Sequence, residues 1–302
     1  MMHKTMEKRP PSPVKVLLRR LRHGRVSRSA GGNLANFLAL SALSALMLVP
    51  MLYVVSNAFK PLSELYLYPP RFFVQNPTFD NFRDLAQLMS NTWVPMSRYF
   101  FNTVFITLCG TVLQVIFGSM AAYVLEKHDF YGRKAFFSLV TLTLMFSSAV
   151  TAIPNYIIMS SLRLVNTMGA LIIPAIGSSL GVFLMKQFMG GVHDSMLEAA
   201  RIDGANEWKI FFSIVMPSVK PAWLTLIIFS VQALWNTNGG VFIRSEELKP
   251  VAYALSQIAA GGVRRAGAAA AVSVVMMSVP IILFIITQSS ILDTMSASGI
   301  KE

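Results

Sequence analysis

The sequence predicts an all-α membrane protein with six transmembrane helices. Of its 302 residues, 54% are hydrophobic and only 13% are charged, whereas a soluble domain carries about 25% charged residues. Six apolar segments are long enough, or nearly long enough, to cross the hydrocarbon core of a bilayer. These segments are residues 34–58, 101–125, 135–159, 168–185, 222–235 and 266–286. The fifth is the shortest, and we expect it to extend to roughly 219–238.

The distribution of positive charge predicts the orientation of the chain. Most of the 26 Lys and Arg residues lie in a tail at residues 1–33, or in the connections that follow the second and fourth segments. Cytoplasmic loops of membrane proteins are enriched in Lys and Arg, so we expect both termini in the cytosol and a transmembrane domain over residues 34–302. The tail is too long and too basic for a cleavable signal peptide. Residues 14–22 form a candidate amphipathic helix on the inner leaflet, or simply hold the N-terminus inside.

Several function classes are disfavoured by what the chain lacks. The net charge of +12 lies beside a membrane segment with no nucleic-acid module after it, so nucleic acid is not an expected partner. Cys109 is the only cysteine and the four His are scattered, which argues against a disulfide and a metal site. The sequence shows no phosphate-binding Gly-rich loop and no catalytic constellation. We therefore expect neither enzyme activity nor a cofactor in this chain.

A polar loop at residues 194–217 separates the fourth and fifth apolar segments. Ser195 and Glu198 have the spacing of a capping box, and Ala199 and Ala200 are small helix formers that another protein can approach closely. Gly204 can adopt the left-handed conformation that ends a helix. The loop is thus predicted to be two short helices joined at a glycine. The simpler interpretation is a capped helix, a turn and an interfacial connector.

This loop resembles the EAA loop through which importer-type ABC permeases dock on their ATPase partner. The resemblance runs through Glu198-Ala199-Ala200-Arg201-Ile202-Asp203-Gly204-Ala205 and continues with Phe211, Ile214 and Pro217. It implies the importer-type ABC permease fold with a cytosolic coupling loop. The residues that it assigns to ATPase coupling are Glu198, Ala199, Ala200, Arg201, Asp203 and Gly204. Among them, Arg201 is a candidate salt-bridge partner.

Other parts of the chain are similar to carbohydrate-uptake permeases of the maltose-transporter type. The similar parts are residues 59–64, 69–72 and 76–82, then Phe101-Asn102-Thr103, Ala170 through Pro174, Trp235-Asn236, and the C-terminal end from Gln288. After Trp235-Asn236 the chain departs from many sugar permeases, because it lacks their aromatic, Pro-containing run. Residues 237–250 and 261–267 instead look like those of a branch associated with complex or acidic oligosaccharides, such as pectin fragments.

The resemblance implies an oligosaccharide importer that works by alternating access in the bacterial cell membrane. Its implied partners are a second permease subunit in a heterodimer, two ATPase subunits that bind ATP and Mg²⁺, an extracytoplasmic sugar-binding protein and the membrane lipid. The sequence leaves two other classes open. One is a permease for a polyamine, phosphate or amino acid. The other is a channel or membrane enzyme whose cytosolic loop binds some other partner.

Five residues are candidates for a sugar path, since sugars need hydrogen-bonding side chains and aromatic surfaces in a mostly apolar cavity. They are Asn155, Tyr156, Gln232, Trp235 and Asn236. The alternative is that these side chains join helices to one another, because interhelical hydrogen bonds are common in membrane proteins. Pro154, next to the first two, marks either an ordinary kink or a hinge.

Four basic residues lie near the predicted outer mouth. They are Arg244, Lys249, Arg264 and Arg265. A basic mouth would concentrate an anionic sugar, and Arg pairs carboxylates bidentately. The same residues could instead meet an acidic surface of the delivery protein.

The topology is testable by thiol labelling, because Cys109 is the only native cysteine. In a Cys109→Ala background, Glu247→Cys should react with a membrane-impermeant reagent from outside the cell, and Lys209→Cys only from inside. The reverse pattern would show that the predicted orientation is wrong.

Overall fold

The computed structural model describes residues 30–90, 94–262 and 265–298. Within these ranges the regular secondary structure is helical and includes no strand. Residues 1–29 of the predicted tail, with the candidate amphipathic helix at 14–22, lie outside the described residues. So do Arg264 and residues 299–302.

We number the helices in chain order. The first half of the chain contains α1 (Ala30–Ala58), α2 (Leu62–Leu65), α3 (Asp80–Ser90), α4 (Met96–Lys127), α5 (Arg133–Thr143) and α6 (Ser148–Ser161). The second half contains α7 (Gly169–Ile176), α8 (Ser179–Met189), α9 (Asp194–Ile202), α10 (Glu207–Ile210), α11 (Met216–Ser218), α12 (Lys220–Trp235), α13 (Val251–Ala259) and α14 (Ala266–Ser298). A π-helical turn, Phe211–Val215, joins α10 to α11, and a 3-10 turn, Glu246–Leu248, precedes α13.

Four helical stretches of the described chain are long and apolar enough to cross a membrane. They are Gly31–Ala58, Met96–Lys127, Gly169–Met189 and Ala266–Ser289. A fifth span arises if Glu207–Ser218 and Lys220–Trp235, which meet at an angle of 81°, are taken as one broken span. Five of the six predicted segments therefore have a counterpart of sufficient length, and the total of six stays a prediction.

The third predicted segment, residues 135–159, is not one continuous helix. Residues 144–147 divide it into α5 and α6, and neither helix is long enough to cross a bilayer alone. Hydroxyl groups flank the break: Thr143 Oγ1 donates to the carbonyl oxygen of Val140 at 2.6 Å, and Ser147 Oγ accepts from the Ala149 backbone N–H at 3.2 Å. Such local bonds offer the backbone an alternative to the helix, and Ser147 thereby caps the start of α6.

The chain divides into two compact units after Tyr53. Within the described residues, the first unit is α1 as far as Tyr53. The side chains of residues 31–50 are exposed, and apolar residues occur on every side of the helix. A helix that is apolar all round is typical of a membrane span.

The second unit is built around α4. In the most apolar part of α4, 44% of the residues are buried, whereas the corresponding share in the other long continuous spans is 22% or less. Helices α7, α8 and α12 pack along it. Small residues contribute to this packing, because a Cβ added to Gly110 of α4 would stand 2.5 Å from Leu234 Cδ1 of α12. Small residues at helix contacts are typical of membrane proteins.

Two core clusters lie at opposite ends of α4. Near Lys127, Ala122 and Tyr123 pack with buried side chains of α8, α9 and residues 210–226. Near Met96, Tyr99 packs with buried side chains of α3, α13 and α14. Helix α4 therefore contributes to both clusters and connects them.

At the Met96 end, Asn81 of α3 holds the backbone of residues 58–60. Its side chain is 5% exposed, and its Nδ2 donates to the carbonyl oxygens of Ala58 at 2.9 Å and of Lys60 at 2.7 Å. Gly267, at the start of α14, lies against this side-chain amide, and a Cβ at that position would overlap it. Glycine at 267 is therefore a requirement of close packing.

Replacing Gly267 with Ala is expected to displace the Asn81 amide and to leave the carbonyls of Ala58 and Lys60 without their donor. A buried polar group that loses its partner costs about 1–3 kcal/mol, so Gly267→Ala should lower the unfolding temperature of the protein in detergent. Gly118→Ala is the matched control, because a Cβ there makes only ordinary contacts, beginning at 3.9 Å. Equal unfolding temperatures for the two variants would contradict the close contact.

Candidate coupling loop and solute path

The predicted coupling loop, residues 194–217, consists of two helical segments. Helix α9 comes first, and after a turn α10 continues through the π-helical turn into α11. Leu197, Ile210 and Val215 are buried with side chains of α4 and α8 in the core cluster near Lys127. The loop therefore packs against the long helices along its whole length, and not only where it begins and ends.

The start of α9 shows that the predicted capping box is wrong. His193 occupies the N-cap position, and its side chain makes no capping hydrogen bond. Ser195 lies inside the helix, so the pair Ser195 and Glu198 does not have the capping geometry. The helix begins at Asp194, two residues earlier than the capping box requires, because Ser195 as the N-cap would make Met196 the first helical residue.

Lys127 of α4 accounts for this earlier start. Its Nζ donates to the carbonyl oxygen of Val192 at 2.6 Å and to Asp194 Oδ1 at 2.7 Å. This hydrogen bond from Lys127 lowers the pKa of the Asp194 carboxyl below its usual value. A carboxylate in the first turn also interacts favourably with the positive end of the helix dipole. Lys127 thus fixes the position of the helix start from a distant helix, but as a donor it does not take the place of an N-cap acceptor.

Helix α9 ends at Gly204, which has the left-handed conformation that the sequence predicts, with φ +77°. Ala205 N donates to the carbonyl oxygen of Ala200, and Gly204 N donates to that of Arg201, both at 3.0 Å. This pair of bonds is the Schellman motif, with Asp203 at the C-cap position. Apart from its neighbours along the chain, no atom of the described residues lies within 4 Å of where a Gly204 side chain would begin. Backbone conformation, and not lack of space, is therefore the reason for glycine here.

Arg201 joins the two halves of the loop. Its Nε donates to Glu207 Oε1 at 3.0 Å, and this bond raises the pKa of Arg201. The other oxygen of Glu207 accepts from the Tyr123 hydroxyl of α4 at 2.8 Å, and His128 Nε2 lies 3.6 Å from it. Arg201, the candidate salt-bridge residue, thus forms its salt bridge with Glu207 of the same chain. Sequence spacing had indicated neither Glu207 nor Tyr123.

The outer face of the loop combines polar groups with apolar side chains. Glu198, Ala199 and Asp203 are exposed, and Ile202 is 86% exposed. Ala200, in contrast, is buried in the core cluster near Lys127. Its small side chain therefore serves the close packing of α9 and not the approach of another protein. Exposed apolar side chains rimmed by polar residues are typical of a protein interaction surface.

The five candidate path residues form two groups on different helices. Asn155 and Tyr156 lie on α6, and Gln232, Trp235 and Asn236 lie at the end of α12 and directly after it. The Tyr156 hydroxyl accepts from Arg244 Nη2 at 2.8 Å, and its ring centroid is 6.1 Å from that of Phe242. Tyr156 and the half-buried Asn155 therefore lie beside the segment that carries a predicted mouth residue.

The second group is partly engaged in helix packing. Trp235 is 5% exposed, and its Nε1 donates to the carbonyl oxygen of Met276 in α14 at 3.1 Å. Asn236 Nδ2 donates to the carbonyl oxygen of Gln232 at 2.7 Å. The Trp235 bond links α12 to α14, as the helix-joining alternative predicts, whereas the Asn236 bond lies within the end of α12 itself. The side chains of Gln232 and Asn236 are nevertheless exposed.

Asn166 is a residue that the sequence did not single out. It has φ +67°, and its Oδ1 accepts from the backbone N–H groups of Arg244 at 3.0 Å and Ser245 at 2.8 Å. Its own backbone N–H donates to the carbonyl oxygen of Phe242 at 2.7 Å. Asn166 thus holds Arg244 beside Tyr156. Asparagine tolerates the left-handed conformation, which is the one signal that could have found it.

Residues at the Met96 end of α4 bind the segment at 246–251. Asn102 is fully buried, and its Nδ2 donates to the carbonyl oxygens of Glu247 at 2.8 Å and Lys249 at 3.0 Å. Thr103 Oγ1 accepts from the Val251 backbone N–H at 2.8 Å. Residues of the similar run Phe101-Asn102-Thr103 therefore fix a loop that lies far along the chain.

Comparison with known proteins places this loop and these helices in one family. The family described as binding-protein-dependent transport system inner membrane component matches residues 114–293. The arabinooligosaccharides transport system permease protein AraQ of Halalkalibacterium halodurans is 30% identical over 260 residues, which cover 83% of this chain and 90% of that protein. The polygalacturonan/rhamnogalacturonan transport system permease protein YtcP of Bacillus subtilis is 29% identical over 224 residues, covering 74% of this chain and 75% of that protein.

A solved structure has the same fold. The crystal structure of a bacterial ABC transporter involved in the import of the acidic polysaccharide alginate aligns with a TM-score of 0.72 and 23% identity, covering 87% of this chain and 98% of that one. The importer-type permease fold predicted from the coupling loop is therefore confirmed. The matched proteins are membrane subunits of transporters and not enzymes. The chain is a multi-pass permease that belongs to the family of binding-protein-dependent transport system inner membrane components.

Proposed function

We propose that the chain is the transmembrane permease subunit of an ATP-driven oligosaccharide importer that works by alternating access. The loop at residues 194–217 carries this proposal, because it is a compact two-helix unit packed on the long helices, with an exposed face that can meet another protein. The substrate class is supported by the names of AraQ, a transport protein for arabinooligosaccharides, and YtcP, one for polygalacturonan and rhamnogalacturonan. The alginate transporter supports the fold alone.

Coupling requires a unit that moves as one body when the ATPase changes state. Helix α9 is held at its start by Lys127 and at its end by Arg201 and Glu207. A displacement of the exposed face, with Glu198, Ala199 and Asp203, would therefore be passed to α4 and not lost in bending of the loop. Only contacts that differ between ATP states can shift the equilibrium between inward-open and outward-open conformations.

The implied partners are part of the same proposal. We infer a second permease subunit, in a heterodimer, and two ATPase subunits that hold ATP and Mg²⁺, so that no cofactor resides in this chain. We also infer an extracytoplasmic sugar-binding protein that delivers the substrate. From the Lys and Arg bias we infer that both termini and the loop at 194–217 lie in the cytosol of a bacterial cell.

Arg244 supports a preference for oligosaccharides that carry uronic acid. It is exposed and lies beside Tyr156 at the predicted outer mouth. Lys249 is engaged otherwise, since its Nζ lies 3.3 Å from Glu246 Oε2 and 3.4 Å from the centroid of the Tyr253 ring. Arg265 lines a cavity of about 730 Å³ together with Asp80 and Asp84. Among the described basic residues of the mouth, Arg244 is therefore the best placed to meet a carboxylate.

Substitution of Gly204 tests the coupling loop. A β-branched residue in the left-handed conformation costs about 1–2 kcal/mol or more, so Gly204→Val should disturb the end of α9. The expected result is loss of ATPase co-purification or of transport, while the protein still inserts in the membrane. Gly204→Asn is the matched control, because asparagine tolerates this conformation. Full transport by a Gly204→Val and Glu198→Ala double variant would refute the coupling assignment.

Uptake by the reconstituted complex tests the function and the substrate together. Proteoliposomes that contain both permeases and the ATPases should import oligosaccharides from arabinan or polygalacturonan only when ATP and the delivery protein are present. If Arg244 attracts uronates, Arg244→Gln should reduce uptake of the acidic oligomers at low salt by severalfold and leave neutral oligomers of the same size unchanged. Equal uptake of both sugars by both proteins would leave the importer assignment in place and refute the acidic preference.

A further inference from the structure

Helix α4 is bound near each of its ends to a loop that lies far along the chain. Near its C-terminus, the Tyr123 hydroxyl donates to Glu207 of the coupling loop at 2.8 Å. Near its N-terminus, the Tyr99 hydroxyl donates to Glu246 at 2.6 Å. We call residues 246–251 the outer segment, after their predicted side of the membrane. At 1.5 Å per residue, the two tyrosines lie about 36 Å apart along the helix axis.

The two ends of α4 use the same chemistry. Glu207 accepts from Tyr123 with one oxygen and from Arg201 with the other. Glu246 likewise accepts from Tyr99, and its second oxygen lies 3.3 Å from Lys249 Nζ. Each carboxylate thus lies between a tyrosine of α4 and a cation of its own loop. Hydrogen bonds to an ionised acceptor are roughly twice as strong as those between neutral groups.

Further contacts strengthen both attachments. At the cytosolic end, Lys127 of α4 binds Val192 and Asp194 at the start of α9. At the other end, Asn102 donates to two backbone carbonyls of the outer segment and Thr103 accepts from the Val251 N–H. These groups are largely buried on the α4 side. Neither loop can shift relative to α4 without breaking several bonds at once.

We propose that α4 transmits displacement between the coupling loop and the outer segment, with Tyr99 and Tyr123 as the positioning residues at its two ends. This inference rests on the proposed function. Closure of the ATPases moves the coupling loop and, through Tyr123, α4. A delivery protein that displaces the outer segment acts on the same helix through Tyr99. The effect is reciprocal, because coupling between two binding sites is the same in both directions.

Helix α12 offers a second route by which a displacement could leave the coupling loop, because it follows the loop directly in the chain. It is joined to the loop by the chain itself, but across a bend of 81° and a π-helical turn. Its far end packs on α14 through Trp235. Within the described residues, α12 makes no hydrogen bond to the outer segment. Removal of the tyrosine hydroxyls leaves this covalent route intact, so such variants isolate the contribution of α4.

The test compares Tyr99→Phe, Tyr123→Phe and the double variant in the fully reconstituted transporter. Each change deletes one hydroxyl and keeps the ring in its core cluster. The delivery protein is loaded with a mixture of arabinan and polygalacturonan oligosaccharides, and ATP hydrolysis is measured with and without it. Each single variant should lose about fivefold or more of the stimulation by the delivery protein, with basal hydrolysis and the amounts of bound ATPase and bound delivery protein unchanged. The double variant should be no worse than the poorer single variant, because both interrupt one linkage.

Tyr131→Phe is the matched control, because it deletes a hydroxyl from a fully exposed ring just beyond the C-terminal end of α4. It should retain full stimulation. If either phenylalanine variant fails to assemble, Glu207→Gln and Glu246→Gln change the acceptors, whose side chains are 48% and 45% exposed, without disturbing the core. These variants should give the same loss.

A second measurement needs no sugar and separates this inference from the proposed function. In the Cys109→Ala background, ATP should change the rate at which Glu247→Cys is labelled in the permease–ATPase complex, and Tyr123→Phe should abolish that change. If this holds while no sugar is imported, the substrate proposal fails and the role of α4 stands. The role of α4 is refuted if ATP changes the labelling rate of Glu247→Cys equally with and without Tyr123→Phe. It is also refuted if the losses of ATPase stimulation in the single variants multiply in the double variant, or if weaker binding of a partner explains those losses wholly.

Discussion

The burial of α4 among α7, α8 and α12 is the packing interaction on which the rest of the second unit depends. Gly110 of α4 leaves the space that Leu234 of α12 occupies, since a Cβ there would stand 2.5 Å from Leu234 Cδ1. In a membrane no hydrophobic effect acts between helices, so van der Waals contact must supply the attraction. Because α4 is central, its two ends become the fixed points on which the core clusters near Lys127 and near Met96 are assembled.

The coupling loop follows from this arrangement. Its apolar side, with Leu197, Ala200 and Ile210, completes the core cluster near Lys127, and its charged groups find partners on α4 or within the loop. Lys127 and Glu207 are the main links, and both use charged groups that hydrogen-bond. The loop can therefore expose Glu198 and Ile202 to a partner without losing its own shape, which is the physical requirement for passing on a displacement.

The structure departs from the sequence-based expectations at two helix boundaries. At one the chain meets a residue from a distant helix, and at the other hydroxyl groups bond to the local backbone. The spacing of Ser195 and Glu198 suits a capping box, but Lys127 binds Asp194 and Val192, and α9 starts two residues earlier, at Asp194. Residues 135–159 read as one apolar span, but hydroxyl groups at Thr143 and Ser147 bond to the local backbone where the helix breaks. For Trp235 the sequence left two interpretations open, and its indole donates to Met276 of α14, as the helix-joining one expects.

The sequence by itself determined the membrane class, most of the long helices, the two-helix loop at residues 194–217 and the left-handed glycine at 204. These features depend on apolar length and on local backbone preference, which adjacent residues reveal. Only the tertiary structure decided that Arg201 turns inward to Glu207, that Ala200 is buried, and that Tyr99 and Tyr123 join α4 to two loops. Those contacts link residues as far apart as Tyr99 and Glu246. No local period or motif encodes such pairs, because they exist only once the helices have packed.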